Sequence, residues 1–211
     1  MLLTFDTCLD KTYVGLADED NVLCTKIIEN NGNTYHSAYL ISTIAEVLKE
    51  NNLTPQDLTA IATNVGPGSF TGIRACTSVA RIMAQQLNLK AIGISSLELI
   101  ADLESPTDKK TLVLLDARKN MAYVLDEEIL GSIAIDDIKE MVKEDNYSII
   151  CDDSMYEIFK DVTSDIQSFT KIPHDFAKTL IKIANKKLEK DFGDWRNLKP
   201  LYIQPPPIFG K

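Results

Sequence analysis

Gly66-Pro67-Gly68-Ser69-Phe70-Thr71-Gly72-Ile73-Arg74 lies between an apolar run, Thr59 to Val65, and a stretch of helical periodicity that ends near Leu87. Three glycines, a serine and a threonine at a strand-to-helix junction gather backbone N–H groups at the positive end of a helix dipole, a setting suited to phosphate. The run is not a Walker loop. Gly72 is followed by Ile73 and Arg74 instead of Lys and Ser or Thr, and Pro67 removes one donor. Such a run also makes a tight strand-to-helix turn with no ligand, even one that lies against a partner, and both readings stand at this point.

Upstream of the loop the chain alternates as strands do. Leu2 to Asp6, Thr12 to Ala17 and Val22 to Ile28 are β-prone runs divided by Cys8 to Lys11 and by Asp18-Glu19-Asp20-Asn21, which predicts an antiparallel three-strand meander. A helix is expected over about Tyr35 to Glu50, with Leu40, Ile44, Val47 and Leu48 on one face and Ala38, Ile41 and Ala45 widening it. On the helix after the glycine loop, Ile73, Cys76, Ala80, Met83 and Leu87 form one apolar stripe and Ala75, Val79 and Ile82 a second. A helix that covers one side of a sheet needs one such stripe, so the second suggests a helix-to-helix interface or further burial within the chain.

Downstream, Ala91 to Ile94 reads as a buried strand, and Ser95-Ser96-Leu97-Glu98 as the capping box of a helix reaching Asp102. Glu104 to Lys110, with Pro106, is the linker, giving a first lobe over 1–104 and a smaller second over 105–211. The second lobe begins as the first does. Leu112 to Asp116 followed by Met121 to Leu125 resembles Leu2 to Asp6 followed by Thr12 to Leu16, with Asp6 to Tyr13 and Asp116 to Tyr123 at the same spacing. Helices are expected over Asp136 to Asp145, Ser154 to Asp161 and Asp175 to Asp191, a strand at Ser148 to Cys151, and an extended tail at Leu201 to Pro207.

Composition removes several classes. At 211 residues, 45% hydrophobic and 25% charged, the chain is neither disordered nor a coiled coil. A net charge of −9 opposes a broad nucleic-acid-binding surface. Cys8, Cys24, Cys76 and Cys151 stand apart without a C-x-x-C pair, so they read as buried thiols in a reducing compartment. No apolar stretch approaches the ~18 residues of a membrane span, and the early carboxylate of Asp6 does not suit a signal peptide, so a cytoplasmic protein is expected. The two histidines, His36 and His174, form no H-x-x-x-H or H-E-x-x-H, and no metal is expected.

Asp6-Thr7-Cys8, His36-Ser37, Gly66 to Arg74, Ile92-Gly93-Ile94-Ser95-Ser96-Leu97 and Leu115-Asp116-Ala117-Arg118, in this order, resemble the TsaB (YeaZ) family of bacterial tRNA threonylcarbamoyladenosine biosynthesis proteins. The resemblance is dense over about Met1 to Tyr123 and thin beyond. It implies an actin-like, ribonuclease H-like α/β fold: two related lobes, each a mixed sheet flanked by helices. It also implies a non-catalytic subunit that pairs with a metal-binding, TsaD-like catalytic subunit. That subunit, with a TsaE-like ATPase, moves a threonylcarbamoyl group onto N6 of the adenosine beside the tRNA anticodon. Pairing runs through the two N-terminal helices, so Tyr39, Ile41, Ala45, Ile73, Cys76, Val79, Ala80 and Met83 become the expected interface, open to a second copy when the partner is absent. The tRNA is reached only through the partner, and no cofactor is implied. Asp6, Thr7, Gly66, Gly68, Ser69, Thr71, Gly72 and Asp116 would be a vestigial anion or nucleotide site, with no paired glycines to hold adenosine. The rival function is an autonomous ATP-dependent phosphotransferase or ATPase using Asp6, Asp116 and the glycine loop; a peptidase has no ligand set here.

The chain departs from the family at four points. Cys76 stands where the family usually has glycine, Lys119 to Ala122 replace a short Glu-Val step before Tyr123, Gln204 replaces an arginine, and the second lobe is short.

Overall fold

In the computed structural model the described residues are 1–29, 35–103, 109–190 and 193–204. They form two compact units. The first joins Met1–Ser96 to Asp175–Leu201, and the second is Leu97–His174 with the described residues from Tyr202 on.

In the first unit the predicted meander is present as β1 (Leu2–Asp6), β2 (Thr12–Asp18) and β3 (Asn21–Ile28), paired antiparallel. A 3-10 turn at His36–Tyr39 leads into α1 (Leu40–Glu50), so the expected helix starts in a tighter winding. β4 (Ala60–Asn64) then lies parallel to β1, α2 (Phe70–Leu87) crosses over, and β5 (Lys90–Ile94) lies parallel to β4. The sheet order is β3-β2-β1-β4-β5, a mixed sheet of the expected kind.

Strand alternation explains its two faces. Leu3 and Phe5 stand opposite Leu16 and Val14, and all four join one buried cluster with Leu40, Ile44 and Val47 of α1 and Ile73, Cys76 and Ala80 of α2. The other face meets α6 (Phe176–Leu188). There the Thr4 hydroxyl donates to the Ala177 carbonyl at 3.4 Å, and Tyr13 meets Phe176 edge to face with ring centroids 5.4 Å apart. Asp175 caps α6 by accepting from Ala177 N–H at 3.0 Å and also accepts from the Thr25 hydroxyl of β3. The compact units therefore divide differently from the expected 1–104 and 105–211. The last helix closes the back of the first sheet, a long-range pairing that no local pattern encodes. Most of the expected linker, 104–108, lies outside the described residues.

After α3 (Ser96–Ala101), the second unit runs β6 (Lys110–Arg118), β7 (Met121–Asp126), β8 (Glu128–Ala134), α4 (Ile135–Glu144), β9 (Tyr147–Cys151), α5 (Asp153–Phe159) and β10 (Ile166–Ser168). Its sheet order is β10-β9-β6-β7-β8, the order of the first sheet read from the opposite edge. Leu112, Leu114, Ala122 and Val124 pack against Ile135 and Ile138 of α4 and Met155 and Phe159 of α5. The doubled mixed-sheet architecture implied by the resemblance is thus present.

The repeated Asp-to-Tyr spacing hides a change of register. Asp6 pairs with Tyr13, whereas a bulge between Asp116 and Arg118 sets Asp116 opposite Ala122 and Leu115 opposite Tyr123. Arg118, Lys119 and Asn120 turn the second hairpin with three successive left-handed residues, at φ 60°, 51° and 59°.

Candidate functional site

β1 and β4 end side by side at Asp6 and Asn64, and the glycine loop carries the chain from β4 into α2 across those ends. Two of its glycines are required by contact with the turn after β1. A Cβ at Gly72 would stand 1.8 Å from the Thr7 carbonyl oxygen, and one at Gly68 would stand 2.4 Å from the Cys8 carbonyl oxygen on a backbone at φ 154°. Four N–H groups of the run are engaged by protein oxygens. Gly66 N–H donates to Asn64 Oδ1 at 2.8 Å, Ser69 N–H to the Cys8 carbonyl at 2.8 Å, Gly72 N–H to Ser69 Oγ at 3.3 Å and Ile73 N–H to the Ser69 carbonyl at 2.8 Å. Asn64 also donates to Ser96 Oγ at 2.8 Å, and Ser96 N–H donates to the Gly66 carbonyl. These bonds build the tight strand-to-helix turn. Gly66 and Gly72 are buried, Ser69 is half-buried, and Gly68 and Thr71 are exposed.

Asp6 and Thr7 are fully buried beneath this junction. The Thr7 hydroxyl accepts from Thr12 Oγ1 at 3.0 Å, and Asp6 Oδ1 accepts from Cys8 N–H at 2.6 Å. Burial pushes the Asp6 carboxyl up to about 6, with the Cys8 N–H and the Asn64 amide acting in the opposite direction. Its expected counterpart differs in setting. Asp116 is exposed in the second unit, where its N–H donates to Asp152 Oδ2 at 2.7 Å and its Oδ1 accepts from Arg118 N–H at 2.7 Å.

The expected helix interface separates into two sets. Ile73, Cys76 and Ala80 are 4%, 0% and 0% exposed, so they belong to the first unit's own core and not to an outward surface. Their stripe is the one that meets β1 and β4; Val79 and Met83 are half-buried at its edge. On α1, Ile41 and Ala45 point to solvent and Tyr39 is half-buried. Tyr39 and Ala45 line, with Ser42 and Glu46, a groove of about 700 Å³. Two outward residues lie outside the expected set: Phe70, 47% exposed with the Arg74 guanidinium 4.2 Å from its ring centroid, and Ile82, 60% exposed. Ile82 was legible in the second stripe, whereas Phe70 was hidden inside the glycine run.

A third grouping was not legible at all. One ligating atom each from Asp6, Cys8 and Cys76 lie within 4.8 Å of one another, and all three residues are buried. The turn after β1 and the inner face of α2 bring them together.

Residues 28–149, more than half of the 211-residue chain, match the family described as TsaD: tRNA N6-adenosine threonylcarbamoyltransferase. The chain belongs to the TsaD family. Among relatives of this TsaD-family chain, the tRNA threonylcarbamoyladenosine biosynthesis protein TsaB of Bacillus subtilis is 26% identical, over 96% of this chain and 93% of the relative. TsaB of Buchnera aphidicola subsp. Baizongia pistaciae is 31% identical over 58% of this chain and 55% of its own length. A crystal structure of an uncharacterized protein with similarity to peptidase YEAZ from Pseudomonas aeruginosa superposes with a TM-score of 0.72 at 19% identity, covering 96% of this chain and 99% of that one. YeaZ from Pseudomonas aeruginosa gives 0.69 at 18%, covering 95% and 98%. The structural likeness carries the fold, and the sequence relatives carry the expected kinship to TsaB. Among the described residues no helix is long and apolar enough to cross a membrane.

Proposed function

We propose that this TsaD-family chain serves tRNA threonylcarbamoyladenosine synthesis as a partner subunit without chemistry of its own, presenting the outer faces of α1 and α2 to a TsaD-like catalytic subunit. The observation that carries this reading is the exposure of Ile41 at 68% and Ile82 at 60% on helices whose inner faces already complete the core. Burying such a side chain on a partner contributes about 1.5–3 kcal/mol. The names of the TsaB relatives supply the pathway, and the close seating of Gly68 and Gly72 on the Cys8 and Thr7 carbonyls supports a structural role for the glycine loop. Asp6 and Thr7 lie beneath that loop as parts of the same junction. With a charge of −9, the subunit leaves tRNA to the TsaD-like partner, has a TsaE-like ATPase as its further partner, works in the cytoplasm, and pairs with a second copy through the same helices when alone.

Isothermal titration of the purified chain tests this reading against autonomous phosphotransfer. Saturable binding of a TsaD-like subunit with no turnover of Mg-ATP is the expected result. Tight Mg-ATP binding with turnover in the absence of any partner overturns it.

A further inference from the structure

We propose that Asp6, Cys8 and Cys76 form a buried site for a thiophilic divalent cation of the zinc class, held by two thiolates and one carboxylate. The three ligating atoms lie within 4.8 Å of one another. Zinc–sulfur bonds of about 2.3 Å and zinc–oxygen bonds of about 2.0–2.2 Å at tetrahedral angles place ligand atoms roughly 3.3–3.8 Å apart, so a small contraction seats the ion. Two pieces of chain aim the groups inward. Asp6 ends β1, Cys8 is fixed in the following turn by the Ser69 N–H on its carbonyl, and Cys76 lies on the inner stripe of α2.

A second observation points to a cation. Asp6 Oδ2 is buried without a hydrogen-bond partner of normal geometry, in a residue 0% exposed. A buried carboxylate oxygen in that state is costly, and a cation beside it removes the cost. The Cys8 thiol is turned toward the Asn64 carbonyl oxygen, 3.6 Å away, which places a neutral oxygen at the same end of the cluster. The donor set selects the ion: thiolates favour zinc or monovalent copper over magnesium and calcium, which require oxygen cages. Two thiolates and a carboxylate carry three negative charges, and a divalent ion leaves less of that charge uncompensated than a monovalent one. Binding releases both thiol protons, so affinity rises with pH.

The site is independent of partner binding and is tested on the reduced, full-length chain by anaerobic titration with Co²⁺. The expected result is one equivalent bound, with a thiolate-to-cobalt charge-transfer band in the near ultraviolet, proton release, and displacement by Zn²⁺. Cys76→Ala and Asp6→Asn each lower the apparent cobalt affinity by at least about tenfold, while Cys24→Ser and Cys151→Ser leave it unchanged. No charge-transfer band from the reduced wild-type chain overturns the proposal, and that measurement needs no variant to fold. A band that survives unaltered in Cys8→Ser and Cys76→Ala also overturns it.

Discussion

The first unit closes the ends of its central strands with an 18-residue helix that enters through a glycine junction, whereas the second places a seven-residue helix, α5, at the matching crossover and leaves Asp116 exposed. Both units share one strand order. Topology therefore sets where a strand end meets a helix, and local residues decide whether that place is sealed. In the first unit Gly68 and Gly72 let the loop lie on the Thr7 and Cys8 carbonyls, burying Asp6. In the second, Asp152 caps α5 by accepting from Met155 N–H at 2.9 Å and also receives the Asp116 N–H. Its carboxyl is raised by burial, but the strand end beside it stays open to water.

The largest expected effect separates the two faces of α2. Ala80 is fully enclosed, so Ala80→Glu places a charge in the first unit's core and costs about 3–5 kcal/mol in urea denaturation, through the fold itself and not through an interface alone. Ile82→Asp, on the outer face, should leave the melting curve within about 0.5 kcal/mol of wild type. Equal losses for the two variants would break the division into inner and outer faces.

Gly72→Ala comes next. Its Cβ meets the Thr7 carbonyl oxygen at 1.8 Å, so the helix must shift, at about 3 kcal/mol or more. Ser154→Ala, in the exposed first turn of α5, should change stability by under about 0.5 kcal/mol. A tolerated Gly72→Ala would show that the first junction is as open as the second.

Asp6→Asn sharpens the comparison through pH. The folded carboxyl titrates at about 6 against 3.8 for its ordinary value. Below pH 3.8 both states hold the proton; between there and about 6 only the folded state keeps it; above that the folded state carries a buried charge. Wild-type stability therefore falls relative to Asp6→Asn as pH rises through this window, by about 2–3 kcal/mol at pH 7.5. Paired denaturation curves of the metal-free proteins in a chelator at pH 4 and 7.5 check it, and a constant difference between the two proteins would contradict the sealed junction. Smaller than the losses at Ala80, Gly72 and Asp6 is that in the second unit, where Asp152→Ala removes a helix cap worth about 1 kcal/mol by the same assay.

Much of the fold was legible because its signals are local. Alternation of Leu3 and Phe5 with Thr4 and Asp6 announces the first hairpin, and the glycine junction announces α2. β8 carries no such alternation: Glu128–Ala134 is interrupted by Gly131 at φ 114°, and β10 has only three residues. The return of α6 to the first sheet depends on Phe176 meeting Tyr13, a contact across most of the chain. For the helix interface, periodicity gave two apolar stripes on α2 but not which of them the sheet would take. The Asp6, Cys8 and Cys76 cluster was invisible because its members are neighbours only after β1 and α2 pack together.

The central claim, a partner surface on the outer faces of α1 and α2, is tested most directly by titrating the TsaD-like subunit of the same organism with wild type and with an Ile41→Asp, Ile82→Asp double variant. The expected result is saturable binding by wild type and an affinity at least about 100-fold weaker for a double variant that melts like wild type. Wild-type affinity in the folded double variant, or no binding by wild type, would contradict it.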